Sequence, residues 1–139
     1  MTSVKYSRVE GYRSAVAGGS LLPLLPVKLQ HGGKPPVETF GLVDSGATTS
    51  MFNAEWAVVL GHTLDPALAG MATGIGGNTR AWHFPVTLVV LGQRLQVTVA
   101  FSEGCPKEFG LLGRDDFLSA FRVGFEHPST QLLLQAFAP

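Results

Sequence analysis

The sequence predicts an all-β fold with one or two short helices, and three observations carry that expectation. Seventeen glycines and nine prolines are spread along 139 residues, so turns recur at short intervals. Apolar residues alternate through 82–91 and again through 94–101, the period of a half-buried strand. Helix start signals stand only before stretches too short for more than about two turns.

The elements follow in order. Residues 1–20 are mixed and polar and read as an N-terminal arm, with the folded domain over 21–139. Leu21 to Gln30 reads as a strand, and its prolines at 23 and 26 suit an edge position. His31-Gly32-Gly33-Lys34 is a turn, and Val37 to Asp44 is the returning strand. Asn53 can cap a helix over Ala54 to Leu60, with Glu55 in its first turn and Gly61 as the stop. Leu64 to Ala69 is irregular, and Met71 to Thr79 holds the glycine-rich tip Gly74-Ile75-Gly76-Gly77. A hairpin runs from Trp82 to Phe101 around Gly92-Gln93, with Phe84, Val86, Leu88 and Val90 on one face of its first arm. Phe109 to Leu112 is a short buried strand. Asp115 or Asp116 can cap a brief helix to Ala120. A last hairpin joins Phe121–Phe125 to Gln131–Ala136.

Composition bounds the function. Apolar residues make up 45% and charged residues 14%, enough for one compact domain with its own core. A net charge of zero argues against nucleic acid or an anionic membrane as main partner. No apolar stretch is long enough to span a bilayer. The single Cys105 excludes an internal disulfide framework. Lys5, Arg8 and Arg13 precede an apolar stretch in the manner of a signal peptide, but Glu10, Gly18-Gly19, Pro23 and Pro26 interrupt it. A cytoplasmic location is expected, with a cleaved signal left open.

The chemistry centres on Phe40-Gly41-Leu42-Val43-Asp44-Ser45-Gly46-Ala47-Thr48-Thr49-Ser50. An apolar strand leads into one acid, then a hydroxyl residue and a glycine where the chain turns. An acid at the end of a buried strand is costly unless it is hydrogen-bonded or functional. Gly46 lets the backbone approach the carboxylate, since a Cβ there would crowd a water on that carboxylate, and Ser45 is expected to hydrogen-bond across the loop. A short echo is present: Phe40-Gly41-Leu42-Val43-Asp44 and Phe109-Gly110-Leu111-Leu112-Gly113. His31, His62, His83 and His127 lack ligand spacing, so no metal and no other cofactor is assigned. Cys105 reads as an ordinary thiol.

The Asp-Ser-Gly-Ala run resembles the catalytic loop of the retropepsin-like aspartic proteases. Gly74-Ile75-Gly76-Gly77 resembles their flap tip, and Leu111-Leu112-Gly113-Arg114-Asp115 their second signature, in the family's order. The resemblance implies a closed β-barrel, the acid protease fold. It implies an aspartic endopeptidase in which Asp44 is catalytic, supported by Ser45 and Gly46. Extended peptide would meet Ala47, Thr48 and the flap residues Gly74, Ile75, Gly76 and Gly77. Arg114 and Asp115 would serve structure and the dimer contact. Many viral members carry acids where Thr48 and Thr49 stand here, and the signature arginine pairs with one of them. Arg114 lacks that partner, and a structural ion pair within or between chains is expected for it.

Aspartic proteolysis needs two carboxylates on one water, and this chain has one such motif. A homodimer, with Asp44 facing its own copy, is therefore expected. The alternative is a non-catalytic peptide-binding or dimerisation module that keeps the fold. A third reading is one domain of a longer protein, with a processing role toward it.

Overall fold

The computed structural model describes residues 3–74 and 77–138. Its strands are β1 (Arg8–Gly11), β2 (Leu24–Gln30), β3 (Val37–Val43), β4 (Met51–Asn53), β5 (Gly70–Gly74), β6 (Gly77–Val90), β7 (Gln93–Ser102), β8 (Gly110–Leu112), β9 (Phe121–Glu126) and β10 (Gln131–Ala136). Helix α1 spans Ala54–Val59, and a single π-helical turn spans Arg114–Leu118.

Strands run β2-β3-β8-β4-β7-β6, and β2 pairs back onto β6 from Val27↔Val90 to Gln30↔Thr87, closing a six-stranded barrel. This is the closed β-barrel that the family resemblance implies. Strand β2 is accordingly not an edge. Pro26, with no N–H to give, lies one residue before the β6 pairing begins, so closure does not ask it for a hydrogen bond. Strand β5 pairs with the far end of β6, Gly70↔Ala81 to Gly74↔Gly77, as a hairpin standing off the barrel. Its tip residues Ile75 and Gly76 lie outside the described residues.

The echo turns out to be a physical pairing. Strands β3 and β8 run parallel with Gly41↔Gly110, Leu42↔Leu111 and Val43↔Leu112, the alignment of the two sequence copies. Both glycines sit where a side chain would collide, Gly41 with β8 and Gly110 with β4. A Cβ on Gly110 would lie 2.4 Å from the Met51 carbonyl oxygen, and one on Gly41 2.6 Å from the Leu112 side chain.

Alternation fills the barrel. Val43 and Leu112 face each other across β3 and β8, and Phe52 and Phe101 across β4 and β7, all buried. Asn53 caps α1, its side chain accepting from the Glu55 N–H at 2.9 Å, and Gly61 follows the helix at φ +90°. The β6–β7 turn falls on Leu91 and Gly92, both at positive φ, one residue earlier than the expected Gly92-Gln93. Within the stretch read as an arm, β1 pairs with β10, which pairs with β9, in a separate three-stranded sheet. Leu132 and Leu134 carry that sheet onto the core beside Phe117 and Phe121.

His31 and His62, far apart in sequence, meet with ring centroids 4.1 Å apart, and His62 stacks on Phe84 at 4.3 Å. Burial lowers the His62 pKa and the charge of His31 lowers it further, against a raising hydrogen bond to the Pro85 carbonyl. Lys34 packs its side chain over neighbouring Gly61, and no carboxylate bonds either ring among the described residues. A folded-state pKa below the unfolded value means the folded state resists protonation. Its contribution to stability is full above the unfolded value of about 6.5 and is lost as pH falls from there through the lower folded-state value. Urea unfolding at fixed protein concentration should therefore show stability declining from pH 7 to pH 5. His62→Phe, which keeps the stack, should flatten that slope; an unchanged slope would contradict the assignment.

Candidate active site

Strand β3 ends at Val43, and the chain leaves the barrel wall at Asp44. The Asp44 N–H donates to the Leu112 carbonyl at 3.0 Å, so β8 fixes where the acid emerges. The Gly46 N–H donates to Asp44 Oδ1 at 2.8 Å, which orients the carboxylate. A Cβ on Gly46 would sit 3.1 Å from that oxygen. The Ser45 hydroxyl makes no hydrogen bond among the described residues, contrary to the expected bond across the loop. Arg114 holds the loop instead: Nη1 donates to the Ser45 carbonyl at 2.9 Å and Nη2 to Thr48 Oγ1 at 3.3 Å. Within the chain Arg114 makes no ion pair among the described residues. A carbonyl and a hydroxyl take the place of the acid.

Backbone stitches continue the attachment. The Arg114 N–H donates to the Ala47 carbonyl and the Asp115 N–H to the Thr48 carbonyl, each at 2.9 Å. Gly113 lies against the loop so closely that a Cβ would be 2.6 Å from the Thr49 carbonyl carbon. The residue that anchors this junction is Asp116, 8% exposed. Its carboxylate accepts from the Ser50 N–H at 2.8 Å, from the Ser50 hydroxyl, and from the Phe117 N–H at 2.7 Å. Ser50 Oγ in turn accepts from the Gly113 N–H at 3.0 Å. Neither Asp115 nor Asp116 caps the turn that follows, as sequence had suggested. Gly113 occupies the cap position, and the Leu118 N–H reaches back to the Gly113 carbonyl in the wider π pattern. Ser50 and Asp116 escaped the sequence reading because their partnership is long-range and buried.

A cavity of about 670 Å³ opens beside Asp44. The loop supplies Asp44, Gly46, Ala47, Thr48 and Thr49. The β5–β6 hairpin supplies Met71, Ala72, Ala81 and His83, and Met51, Ala100 and Leu111 line the barrel side. A second cavity of about 330 Å³ shares Met51, Ala72 and Leu111 and adds Gly77, Cys105, Pro106 and Phe109, among others. Burial pushes the Cys105 thiol up to about 11, so it stays protonated and inert near neutral pH. The base of the hairpin is clamped by Arg80, whose Nε and Nη2 donate to the Glu103 carboxylate at 2.7 and 2.8 Å. That bond holds the Glu103 carboxyl below the usual range. No group of three or more metal-ligating side chains occurs among the described residues, and no helix is long and apolar enough to cross a membrane.

A family model described as aspartyl protease matches residues 26–115, from β2 to the start of the π turn. Among solved structures, a retropepsin-like aspartic protease from Rickettsia conorii matches with a TM-score of 0.58 and 16% identity, covering 93% of this chain and 99% of that one. The retroviral protease-like domain of Ddi1 from Leishmania major matches with a TM-score of 0.51 and 19% identity, covering 84% of this chain and 96% of the other. A comparison with curated proteins finds no match. The likenesses establish the retropepsin fold.

Asp116→Ala would strand the buried N–H groups of Ser50 and Phe117 and should destabilise the chain by about 3 kcal/mol. Asp115→Ala removes an exposed side chain and should stay within about 0.5 kcal/mol of wild type. Denaturant unfolding of both variants checks the pair; equal effects would refute the anchor.

Proposed function

Since the chain belongs to the aspartyl protease family, we propose that two copies form an endopeptidase in which the two Asp44 carboxylates activate one water. The observation that carries this reading is the setting of Asp44. One oriented carboxylate per chain stands on the wall of an open cavity, its loop fixed by the segment after β8. Oδ1 takes the Gly46 N–H, and Oδ2, with no bond among the described residues, is the atom offered to the water.

Two such carboxylates brought together by a twofold axis cannot both ionise, so they share a proton. The ionised member takes a proton from the water as its oxygen attacks the scissile carbonyl carbon. The protonated member gives its proton to the carbonyl oxygen, forming a tetrahedral gem-diol. Return of a proton to the amide nitrogen lets the C–N bond break, and the carboxylates regain their starting states. Ser45 stands exposed beside the acid, where its hydroxyl can meet the second copy. The β5–β6 hairpin is assigned the flap role, with Gly74, Ile75, Gly76 and Gly77 at its tip. Peptide lies extended beneath it, bonded by backbone to the flap and to Ala47 and Thr48, a form of strand addition. Met51, Phe109, Leu111 and Pro106 make the second cavity apolar, which favours apolar side chains next to the scissile bond.

Cleavage of a denatured protein mixture from pH 3 to 7, with sedimentation alongside, tests the proposal. Wild type should cut with a bell-shaped profile on the acidic side, and Asp44→Asn should lose activity by about 10²–10⁴-fold while remaining dimeric. A folded wild-type dimer that binds peptide without cutting it would overturn the reading in favour of a peptide-binding module.

A further inference from the structure

The barrel wall beneath the cavity is a single cross-strand row. Leu42 on β3 pairs with Leu111 on β8, Leu111 with Met51 on β4, Met51 with Ala100 on β7, and Ala100 with His83 on β6. Cross-strand partners share a face, so these side chains lie side by side, opposite the barrel-filling row one residue further along. Asp44 stands two residues beyond Leu42, at one end of the row; His83 stands at the other. Four strand spacings separate the ends, about 19 Å along the wall at roughly 4.8 Å per spacing, and less in a straight line because the wall curves. An extended peptide advances about 3.4 Å per residue, so the straight span is about four residues of substrate.

The chemistry along the row is uneven. Its middle is apolar: Leu111, Met51 and Ala100. Of the residues lining the cavity, only Asp44 and His83 ionise, and only His83 can become a cation. His83 is exposed and takes part in no hydrogen bond among the described residues. The nearby cation on the same hairpin, Arg80, is committed to Glu103. Met71 and Ala72 face the cavity from β5, and Thr48 and Thr49 from the loop, all without charge. An acidic side chain is repelled at the Asp44 end and finds its one ionic partner at the other.

We propose that His83 is a specificity-determining residue that binds an acidic substrate side chain about four residues from the scissile bond. The inference rests on the peptide cleft assigned above and adds to its apolar preference a remote acidic one.

The test uses synthetic peptides of otherwise apolar residues, with a single Glu or Gln scanned along the chain. Binding is measured on the dimer carrying Asp44→Asn, with and without His83→Gln, and cleavage on wild type and His83→Gln. At pH 5 one position, about four residues from the cleaved bond, should favour Glu over Gln by about five-fold, the scale of an exposed ion pair. That ratio should fall to parity in His83→Gln. A ratio that His83→Gln leaves unchanged overturns the inference. Binding that shows the ratio without any cleavage supports it while overturning the protease reading. Cleavage with a flat ratio does the reverse, and failure of every peptide to bind overturns both.

Discussion

The hydrogen bonds between the Asp44 loop and the segment beginning at Leu112 are the constraint on which the site depends. Asp44 hangs from the Leu112 carbonyl, while the Ala47 and Thr48 carbonyls receive the N–H groups of Arg114 and Asp115. These bonds go with close approaches that leave no room for a Cβ: Gly41 lies against Leu112 of β8, Gly110 against Met51 and Phe52 of β4, and Gly113 against the loop at Ala47 and Thr49. Beneath them, the Asp116 carboxylate gathers donors that burial would otherwise leave unmet. Position and orientation of one carboxylate therefore come from a junction between two distant pieces of sequence.

The junction also suits its chemical setting. A dyad sharing a proton works where carboxylates are partly protonated, and a loop tied by a carboxylate-guanidinium pair would loosen in the same range. Arg114 bonds a carbonyl and a hydroxyl instead, acceptors that do not titrate there. Thr48 thus keeps the arginine engaged without tying the loop to an ionisation. The single chain places one such carboxylate on the wall of the cavity.

Much of this was legible in the sequence, for identifiable reasons. Local signals gave α1 from Asn53 to Gly61, the long β6–β7 hairpin from its alternation, and the Asp44 turn from Ser45 and Gly46. The echo between 40–44 and 109–113 marked two segments that prove to be paired. Non-local facts stayed hidden. Closure through β2 and β6 contradicts the edge position that Pro23 and Pro26 suggested, because tertiary pairing outweighs local preference. Strand β1 owes its existence to β10 more than to its own residues. Asp116 looked like a helix cap because capping is the usual work of an acid at such a place, and only the fold reveals Ser50 beside it. His83 looked like an isolated histidine until the register of five strands set it on the cavity wall.

The closed ring imposes an order in time. Hairpins β2–β3 and β6–β7 join neighbours in sequence and can form early, since closing a short loop is fast. The β3–β8 and β4–β7 pairs are parallel and link distant segments, the slow class of contact. On a ribosome, residues 110–116 emerge long after Asp44, so a nascent chain carries its acid on a loop with nothing to hold it. Translation alone therefore keeps the carboxylate unaimed until most of the barrel has been made.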